Sequence, residues 1–346
     1  MEKLLVEVFD GNTATVIVQG DTPREFRKIS SALRGASRSA LESFVSNMRE
    51  APSVAEMVSP MPGIARPVFG PNNTLFGIDV TLGSTTAAGT SGDSGADMVG
   101  GYEWEMALDG LPPRLHATTD FLDVWGIAPE SRDRVVYGPA DFFGNMARIS
   151  DIARLWQDLK VAKEGDGKSG IVVIRPAGST QPRQVHYAQR AIETPQGLRV
   201  RGLARTITSD RQDAGVRTDM LDAELGRQVI GLTGMFGVVG DLSIPSAPCV
   251  LKWLTTIMPG IGHGVSTGQT PGIHPDDLPL VFGWIDQVRH GKPVTGSVRL
   301  RRATGGWLRA NFLGQLLDRE AFPTLGISLV YPEIAEEDVV DTIAPR

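Results

Sequence analysis

The hydrophobic and polar residues of this chain form a pattern that occurs twice. In each copy a helical periodicity comes first and the alternation typical of strands follows. The first copy begins with DIARLWQDLKVA at 151–162, where apolar residues recur every three or four positions. After a Gly-Lys turn at 167–168 come three strand-like segments, GIVVIRPA, RQVHYAQRAI and GLRVRGLARTI. The second copy has DDLPLVFGWIDQV, Gly-Lys at 291–292, then GSVRLRRA, GWLRANFLGQLL and TLGISLVYP. The pattern predicts two copies of one α+β module.

The N-terminal residues 1–83 have a different pattern and are predicted to form a separate domain. The segments LLVEVFD and TATVIVQG flank turn-forming residues, which predicts a hairpin. Thr22 followed by Pro23 and Glu25 predicts a helix start, and Ser39 with Glu42 predicts a second one. The second helix carries one apolar face, formed by Leu41, Phe44, Val45 and Met48.

Composition marks the boundaries between these units. Residues 84–101 are rich in Gly, Ser and Thr, which predicts a flexible linker before domains at 102–208 and 245–332. Residues 209–244 are predicted to be a connecting helix that frays towards residue 240, and 333–346 an acidic tail. The apolar face of this predicted connecting helix consists of Leu221, Leu225, Val229, Leu232 and Phe236.

The segment GIHPDDLPLVFGW, at 272–284, combines a histidine with two aspartates. Pro279 fits only the first turn of a helix, so Asp276 or Asp277 is expected at the N-cap. Capping accounts for both carboxylates, and the five histidines of the chain are scattered. We therefore predict a helix start here and no metal site.

Charge and composition then limit the class of protein. The 346 residues are 41% hydrophobic and 21% charged, with a net charge of −6 and no basic run. These values indicate a soluble globular protein and disfavour nucleic acid as a partner. Cys249 is the single cysteine, no 18 apolar residues run together, and Glu7 and Asp10 interrupt the first apolar segment. A cytoplasmic protein without membrane contact is expected.

The second copy resembles the PAS sensor domain. The residues that carry this resemblance are the His-Pro-x-Asp helix start, GKP after the helix, and SVRLRRATGGWLRANFLGQLL. Residues 102–208 resemble it as well, through YEWEM, RLHATTDFLDVWGI and YGPADFF, and residues 1–83 resemble a shortened GAF domain. The arrangement is similar to an actinobacterial family of sensor-domain-only proteins, known from a mycobacterial triple-sensor protein. The resemblance implies three small α+β domains, each an antiparallel sheet with helices on one face and a potential small-molecule cavity.

Three strings imitate enzyme motifs. AKEGDGKS at 162–169 fits a relaxed phosphate loop, but a helix precedes it and a strand follows, the reverse of the required order. GVSTG around Ser266 fits a nucleophile elbow, which requires a parallel sheet that the pattern does not predict. GDSG around Ser94 falls in the predicted linker. The protein is therefore expected not to be an enzyme, and a serine hydrolase using Ser266 is kept as the least favoured alternative.

Candidate pocket residues follow from the PAS resemblance. They are Trp125, Phe143, Trp156 and His186, although core packing explains most tryptophans and a structural role fits His186. His186 shares a strand face with Ala188 and Arg190, opposite Val185, Tyr187 and Gln189. The reactive Asn-Cys-Arg motif of flavin photosensors and a helical axial histidine for haem are both missing from the sequence, so no cofactor and no metal are predicted.

Two functions are compatible with this sequence. The first is a sensor that binds an unknown small ligand and signals to a protein partner through a population shift. The second is an interaction scaffold whose cavities are closed by bulky side chains. Both functions are compatible with a homodimer.

Overall fold

The computed structural model describes residues 2–11, 13–50, 63–82, 98–106, 113–134, 136–179, 181–207, 224–244, 248–262 and 272–333. These residues form three five-stranded sheets, which we name A, B and C in chain order. The strand pairs β1–β2, β1–β5, β2–β3 and β4–β5 of sheet A, β6–β10, β9–β10 and β8–β9 of sheet B, and all four pairs of sheet C are antiparallel. The α+β class is thus confirmed, and the parallel sheet that the hydrolase alternative requires is absent from the described residues. Ser94 and Ser266 lie outside them.

Sheet A contains the N-terminal strands in the order β3-β2-β1-β5-β4. Its core consists of the inward face of the sheet and the helix predicted around residues 39–48, whose Leu41, Phe44, Val45 and Met48 are all buried, as expected. Its strands are β1 (Glu2–Glu7), β2 (Thr15–Gln19), β3 (Thr22–Lys28), β4 (Gly63–Phe69) and β5 (Leu75–Leu82), and its helices are α1 (Ile29–Ala32) and α2 (Gly35–Glu50).

Sheets B and C share one strand order, in which the second strand lies at one edge and the third at the other. The order is β7-β6-β10-β9-β8 in sheet B and β12-β11-β15-β14-β13 in sheet C. This common topology agrees with the internal repeat in the sequence. The strands of sheet B are β6 (Val99–Glu105), β7 (Arg114–Ala117), β8 (Gly167–Ile174), β9 (Arg183–Thr194) and β10 (Gly197–Ile207). Those of sheet C are β11 (Phe236–Asp241), β12 (Cys249–Trp253), β13 (Val294–Arg301), β14 (Trp307–Asp318) and β15 (Phe322–Pro332).

The remaining helices include the two that the sequence repeat predicts, α5 (Ile149–Lys160) and α7 (Leu278–Arg289). The other three are α3 (Thr119–Trp125), α4 (Pro139–Gly144) and α6 (224–232). Helix α5 ends before Gly167, where β8 begins, so the string 162–169 is the helix-to-strand turn expected and not a phosphate loop. No helix among the described residues is long and apolar enough to cross a membrane.

The chain forms two compact units. The first comprises Met1–Met106, Leu115–Arg132 and Trp156–Gln212 and therefore contains sheets A and B. The second comprises Ala107–Arg114, Asp133–Leu155 and Asp213–Arg346 and contains sheet C. The predicted domain at 102–208 is thus interrupted, because residues 133–155 belong to the second unit. There the Lys252 Nζ of β12 donates hydrogen bonds to the carbonyl of Gly144, the last residue of α4, and to that of Met146, just after the helix.

Within the first unit, sheet A packs against one face of sheet B. Leu5 and Phe76 of sheet A are fully buried in a cluster with Ala188 and Leu203 of sheet B. We call the face of sheet B that carries Ala188 its outer face, and the opposite face its inner face. The outer face is therefore an interdomain surface.

The predicted helix start at Thr22 is wrong, because Thr22–Lys28 is the edge strand β3. Gly20, at a φ of 60°, makes the turn that pairs Gln19 with Thr22. An edge strand tolerates Pro23, which has no N–H to donate to a neighbouring strand.

The predicted linker ends too late, because residues 99–101 already belong to β6. The glycines there were interpreted as a sign of flexibility, but they are packing positions. A Cβ on Gly100 would lie 2.1 Å from the backbone N of Phe121, and one on Gly101 would lie 2.5 Å from the carbonyl O of Phe69. Close backbone approach explains these glycines.

The predicted connecting helix is also too long. Helix α6 ends at residue 232, Gly234 adopts a φ of 70°, and β11 starts at Phe236, so the third domain begins before residue 245. Glycine at a positive φ just past a helix is a common helix terminator. Leu221 and residues 334–346 of the predicted tail lie outside the described residues.

The helix start at 272–284 is confirmed, and Asp277 stands at the N-cap position of α7, but its side chain makes no capping hydrogen bond. His274 is buried, and its Nδ1 accepts a hydrogen bond from the backbone N of Asp276 at 3.2 Å. The carboxylate of Asp277 instead accepts three hydrogen bonds from Arg299 of β13, from the backbone N, Nε and Nη2 at 2.7, 3.1 and 2.8 Å. The histidine ring thus caps the 3-10 turn Pro275–Asp277 that leads into α7, and the Asp277 side chain fastens the helix to the sheet.

Candidate functional site

A cavity of about 180 Å³ lies between α7 and the facing surface of sheet C. We call this surface the inner face of sheet C and the cavity the third-domain cavity. Helix α7 contributes Val281, Trp284 and Ile285, which pack around Val298 and Phe312 of the sheet. The cavity therefore lies between helix and sheet, where the PAS resemblance implies a ligand site.

Glycines on the inner face help to leave this cavity open. Gly314 and Gly326 line the cavity and have no side chain to fill it. A Cβ on Gly296 would lie 2.1 Å from Cζ2 of Trp284, so the indole ring lies directly against β13. Substitution of these glycines by larger residues would close the space or displace the ring.

The side chains that face the third-domain cavity are almost entirely apolar. Among its lining residues Asp241 is the one acidic residue, and no basic residue is among them. Strand alternation places the Asp241 side chain on the face opposite Val238, and its carboxylate accepts hydrogen bonds from the N and Oγ of Ser243. Ser328 supplies a hydroxyl on the inner face. Gln315 also borders the cavity, but it lies between the inward positions 314 and 316. The inner face itself thus presents a mainly apolar surface on which Ser328 is the polar side chain.

Strand register identifies the corresponding positions in sheets B and C. Gly170 of β8 pairs with Tyr187 of β9, and Gly296 of β13 pairs with Phe312 of β14. Each sheet therefore has a glycine opposite an inward aromatic residue at the same point. We use this match to align the two sheets.

Two residues beyond that match, the inner faces differ in chemistry. Sheet B pairs Lys168 with Gln189, where sheet C pairs Val294 with Gly314. The row continues in sheet B through Gly202 to Tyr102 and in sheet C through Ser328 to Val238. The same module therefore carries polar side chains in one copy and small or apolar ones in the other.

The polar row of sheet B borders a second cavity of about 190 Å³, which we call the second-domain cavity. Tyr102 covers Gly202, since a Cβ there would lie 2.2 Å from the ring Cζ. The Tyr102 hydroxyl donates a hydrogen bond to Gln189 Oε1 at 3.0 Å, and burial raises the pKa of this tyrosine. Gln189 is therefore oriented by a neutral phenol.

The predicted pocket residues do not line either cavity. Trp125 of α3 is fully buried, and its ring stacks on Phe121 with centroids 5.3 Å apart. Phe143 of α4 is fully buried with an edge contact to Phe142, and Trp156 of α5 is buried too. These aromatic residues serve core packing, the alternative that the sequence left open.

His186 lies on the outer face of sheet B, as Ala188 and Arg190 do. It is almost fully buried, and neither ring nitrogen makes a hydrogen bond within the described residues. Desolvation and the nearby charge of Arg205 lower the pKa of His186 to about 4. The residue is therefore a neutral part of the surface between sheets A and B, away from the second-domain cavity.

Sequence reasoning missed the residues that form the cavities. Gln189 was identified only as the strand neighbour of His186, and Gly314 was not singled out. The available signal was glycine inside predicted strands, which marks close approach or unfilled space. No group of three or more metal-binding side chains is found among the described residues.

Comparison with known proteins gives the following matches. Residues 2–88 match the family model described as Rv3651-like, N-terminal. No curated protein matches the chain. An uncharacterised protein from Mycobacterium tuberculosis has a crystal structure similar to this one, with a TM-score of 0.69, 18% identity, and 97% of each chain covered.

Two light-sensor structures match less well. An RNA-binding light-oxygen-voltage receptor gives a TM-score of 0.26 at 14% identity, covering 68% of this chain and 95% of its own. A light-oxygen-voltage domain studied with a flavin analogue gives 0.22 at 15% identity, covering 32% and 84%. Both scores are too low to support an inference. The fold is thus similar over almost its whole length to one mycobacterial structure, and the N-terminal domain matches the Rv3651-like N-terminal family.

Proposed function

We propose that this protein is a non-catalytic sensor whose third domain binds a small, uncharged, apolar molecule. In this proposal the first domain is GAF-like and the second and third are PAS-like. The observation that carries it is the apolar third-domain cavity between α7 and sheet C. A cytoplasmic location, with neither nucleic acid nor membrane as partner, is part of the same proposal.

The size of the cavity limits the ligand. A volume of about 180 Å³ slightly exceeds the roughly 150 Å³ of an engineered apolar cavity that binds benzene. It is smaller than the roughly 300–1,000 Å³ typical of drug-sized ligand sites. The ligand is therefore a single ring or a short branched chain, and bulkier cofactors require a larger space.

The lining determines the charge of the ligand. The third-domain cavity has no lysine, arginine or histidine among its lining residues. Burying a carboxylate or phosphate there would cost several kcal/mol without a partner. A neutral molecule that accepts or donates one hydrogen bond at Ser328 fits best.

A direct route connects the cavity to the protein surface. Val238 lines the cavity, and the adjacent Gly237 faces the opposite side of sheet C, where a Cβ would lie 3.0 Å from Cδ1 of Ile230 in α6. A ligand that presses on Val238 would shift β11 against α6. Differential affinity for two positions of α6 would then produce the population shift that a sensor requires.

The test is titration of the full chain with toluene, monitored by calorimetry and thermal unfolding. Wild-type protein should bind toluene saturably at millimolar concentration or below and unfold at a higher temperature. Val281→Phe fills the cavity and should abolish binding, whereas Val161→Phe, the same change beside the second-domain cavity, should not. Absence of saturable binding to wild type, or equal loss in both variants, would contradict the proposal.

We propose that α6 binds a second copy of this chain. Leu225, Val229 and Leu232 are 61%, 54% and 88% exposed at the i, i+4, i+7 spacing of a helix-pairing seam. The charges beside them, Glu224 and Arg227, are paired with each other, so two copies can meet without repulsion. This surface also supports the scaffold alternative.

Sedimentation of the full chain tests this surface. A concentration-dependent dimer is expected for wild type. Leu232→Glu should shift it to monomer, whereas Leu280→Glu, on the exposed side of α7, should leave it unchanged. A monomer at all concentrations, or a dimer that survives Leu232→Glu, would contradict the assignment.

A further inference from the structure

The second-domain cavity lies at the C-terminal end of α5, where that helix meets the inner face of sheet B. Its wall contains Asp158 near the helix end, Lys168 at the start of β8 and Gln189 in β9. Its volume of about 190 Å³ matches the third-domain cavity, but its lining is charged. The two cavities therefore select different molecules.

Gln189 carries a hydrogen-bonding group that the protein leaves unused. The side chain is 3% exposed, and its Oε1 accepts from the Tyr102 hydroxyl, which fixes the orientation of the amide. No hydrogen bond from Gln189 Nε2 is found within the described residues. Gln189 lines the cavity, and its Nε2 group is therefore available to an acceptor on a ligand.

Charges of both signs border the same space. Lys168 Nζ lies 3.7 Å from Asp158 Oδ1, and Asp166 adds a second acidic residue to the wall. The Lys168 side chain is 52% exposed, so its ammonium can move to a ligand at small cost. The wall thus offers an ammonium and an amide donor for an anionic group, and carboxylates for a cationic one.

We infer that the second-domain cavity binds a small zwitterion, of the class of the free α-amino acids. The ligand carboxylate would accept hydrogen bonds from Gln189 Nε2 and Lys168 Nζ, and the ligand ammonium would neutralise Asp158. A simple cation would leave the Gln189 donor unused, and a simple anion would face two aspartates. A zwitterion satisfies both sets of groups.

This inference is independent of the third-domain ligand. The positions of Lys168 and Gln189 are occupied by Val294 and Gly314 in sheet C, so the apolar cavity offers none of these contacts. The protein would then receive two chemically distinct inputs. Failure of toluene binding would not affect the zwitterion site, and the reverse also holds.

Calorimetry of the full chain against the twenty L-amino acids tests the inference. At least one should bind saturably, and the alanine-sized fragments ethylamine and propionate should bind at least tenfold more weakly than the best amino acid. Saturable binding of either fragment with equal affinity would overturn the zwitterion assignment. So would a panel in which no amino acid binds.

Two variants locate the site. Gln189→Glu keeps an acceptor for Tyr102 but replaces the amide donor, so it should weaken amino-acid binding at least tenfold. Gln196→Glu, the same change in an exposed turn, should not. If Gln189→Glu does not fold, amino-acid binding is measured in Lys168→Met instead, because Lys168 lies at the half-exposed rim of the cavity. Full affinity in Lys168→Met, or in folded Gln189→Glu, would contradict the site, and Val281→Phe should leave it intact.

Discussion

Glu7 of β1 and Arg190 of β9 form an ion pair between sheets A and B, with Nη2 and Oε1 2.9 Å apart. The carboxylate is fully buried, and its other oxygen accepts a hydrogen bond from the backbone N of Phe9 at 3.0 Å. Arg190 also lies over the ring of Phe26, 4.5 Å from the centroid. The first domain is thus fastened to the second by a desolvated charge pair within an apolar contact.

Loss of Arg190 should therefore be costly. Arg190→Leu leaves the buried carboxylate of Glu7 without its cation, and we expect a loss of about 3–5 kcal/mol in the stability of the contact. The exposed pair of Arg38 and Glu42 in α2 provides the control, because Arg38→Leu should cost under about 1 kcal/mol. Hydrogen exchange of the β1 amides measures both changes. Equal effects of the two substitutions would contradict a structural role for the buried pair.

The adjacent residues Asp276 and Asp277 should differ in their contributions to stability. Hydrogen bonds from Arg299 lower the pKa of Asp277, whereas the Asp276 side chain is 74% exposed. Asp277→Ala should destabilise the third domain by about 1.5–3 kcal/mol, and Asp276→Ala should remain within about 0.5 kcal/mol. Hydrogen exchange of the β13 amides distinguishes them. A larger effect of Asp276→Ala would restore the capping role expected from the sequence.

His186 should make the contact between sheets A and B sensitive to acid. Because its folded-state pKa is lowered from 6.5 to about 4, the unfolded chain binds a proton first as the pH falls. Stability is therefore full above pH 6.5 and declines as the pH falls to about 4, by up to about 3 kcal/mol. Asn311 occupies the corresponding position in sheet C, so His186→Asn should remove this part of the decline. An unchanged acid profile in that variant would contradict the assignment.

Two glycines should respond in opposite ways to the same substitution. Gly100→Ala places a Cβ 2.1 Å from the backbone of Phe121, which must move, and a loss of more than about 2 kcal/mol is expected. Gly283→Ala meets no atom within 4 Å on α7 and should stabilise that helix by about 0.5–1 kcal/mol. Thermal unfolding compares the two directly. Similar effects of both changes would show that the backbone contact at Gly100 is not tight.

The sequence was sufficient to predict the internal repeat, with helices α5 and α7 and the strands that follow them. Periodicity and Gly-Lys turns are local signals that need no knowledge of tertiary contacts. The strand at Thr22–Lys28 could not be predicted, since a Thr-Pro-x-Glu sequence suits a helix start and pairing with β2 overrides it. The contact of Asp277 with Arg299 spans 22 residues and leaves no local trace, so capping seemed sufficient. The third-domain cavity is open because sheet C has Gly314 at the position where sheet B has Gln189. This correspondence can be recognised only when the strand register is known.

The most direct test of the sensor proposal is a crystal structure of the full chain soaked with bromobenzene, recorded at the bromine absorption edge. An anomalous peak between α7 and the inner face of sheet C, bounded by Val281 and Phe312, is the result that we predict. Val281→Phe crystals treated in the same way should lack it. Wild-type crystals in which the space between helix and sheet remains without bromine at saturating bromobenzene would contradict a ligand site in the third domain.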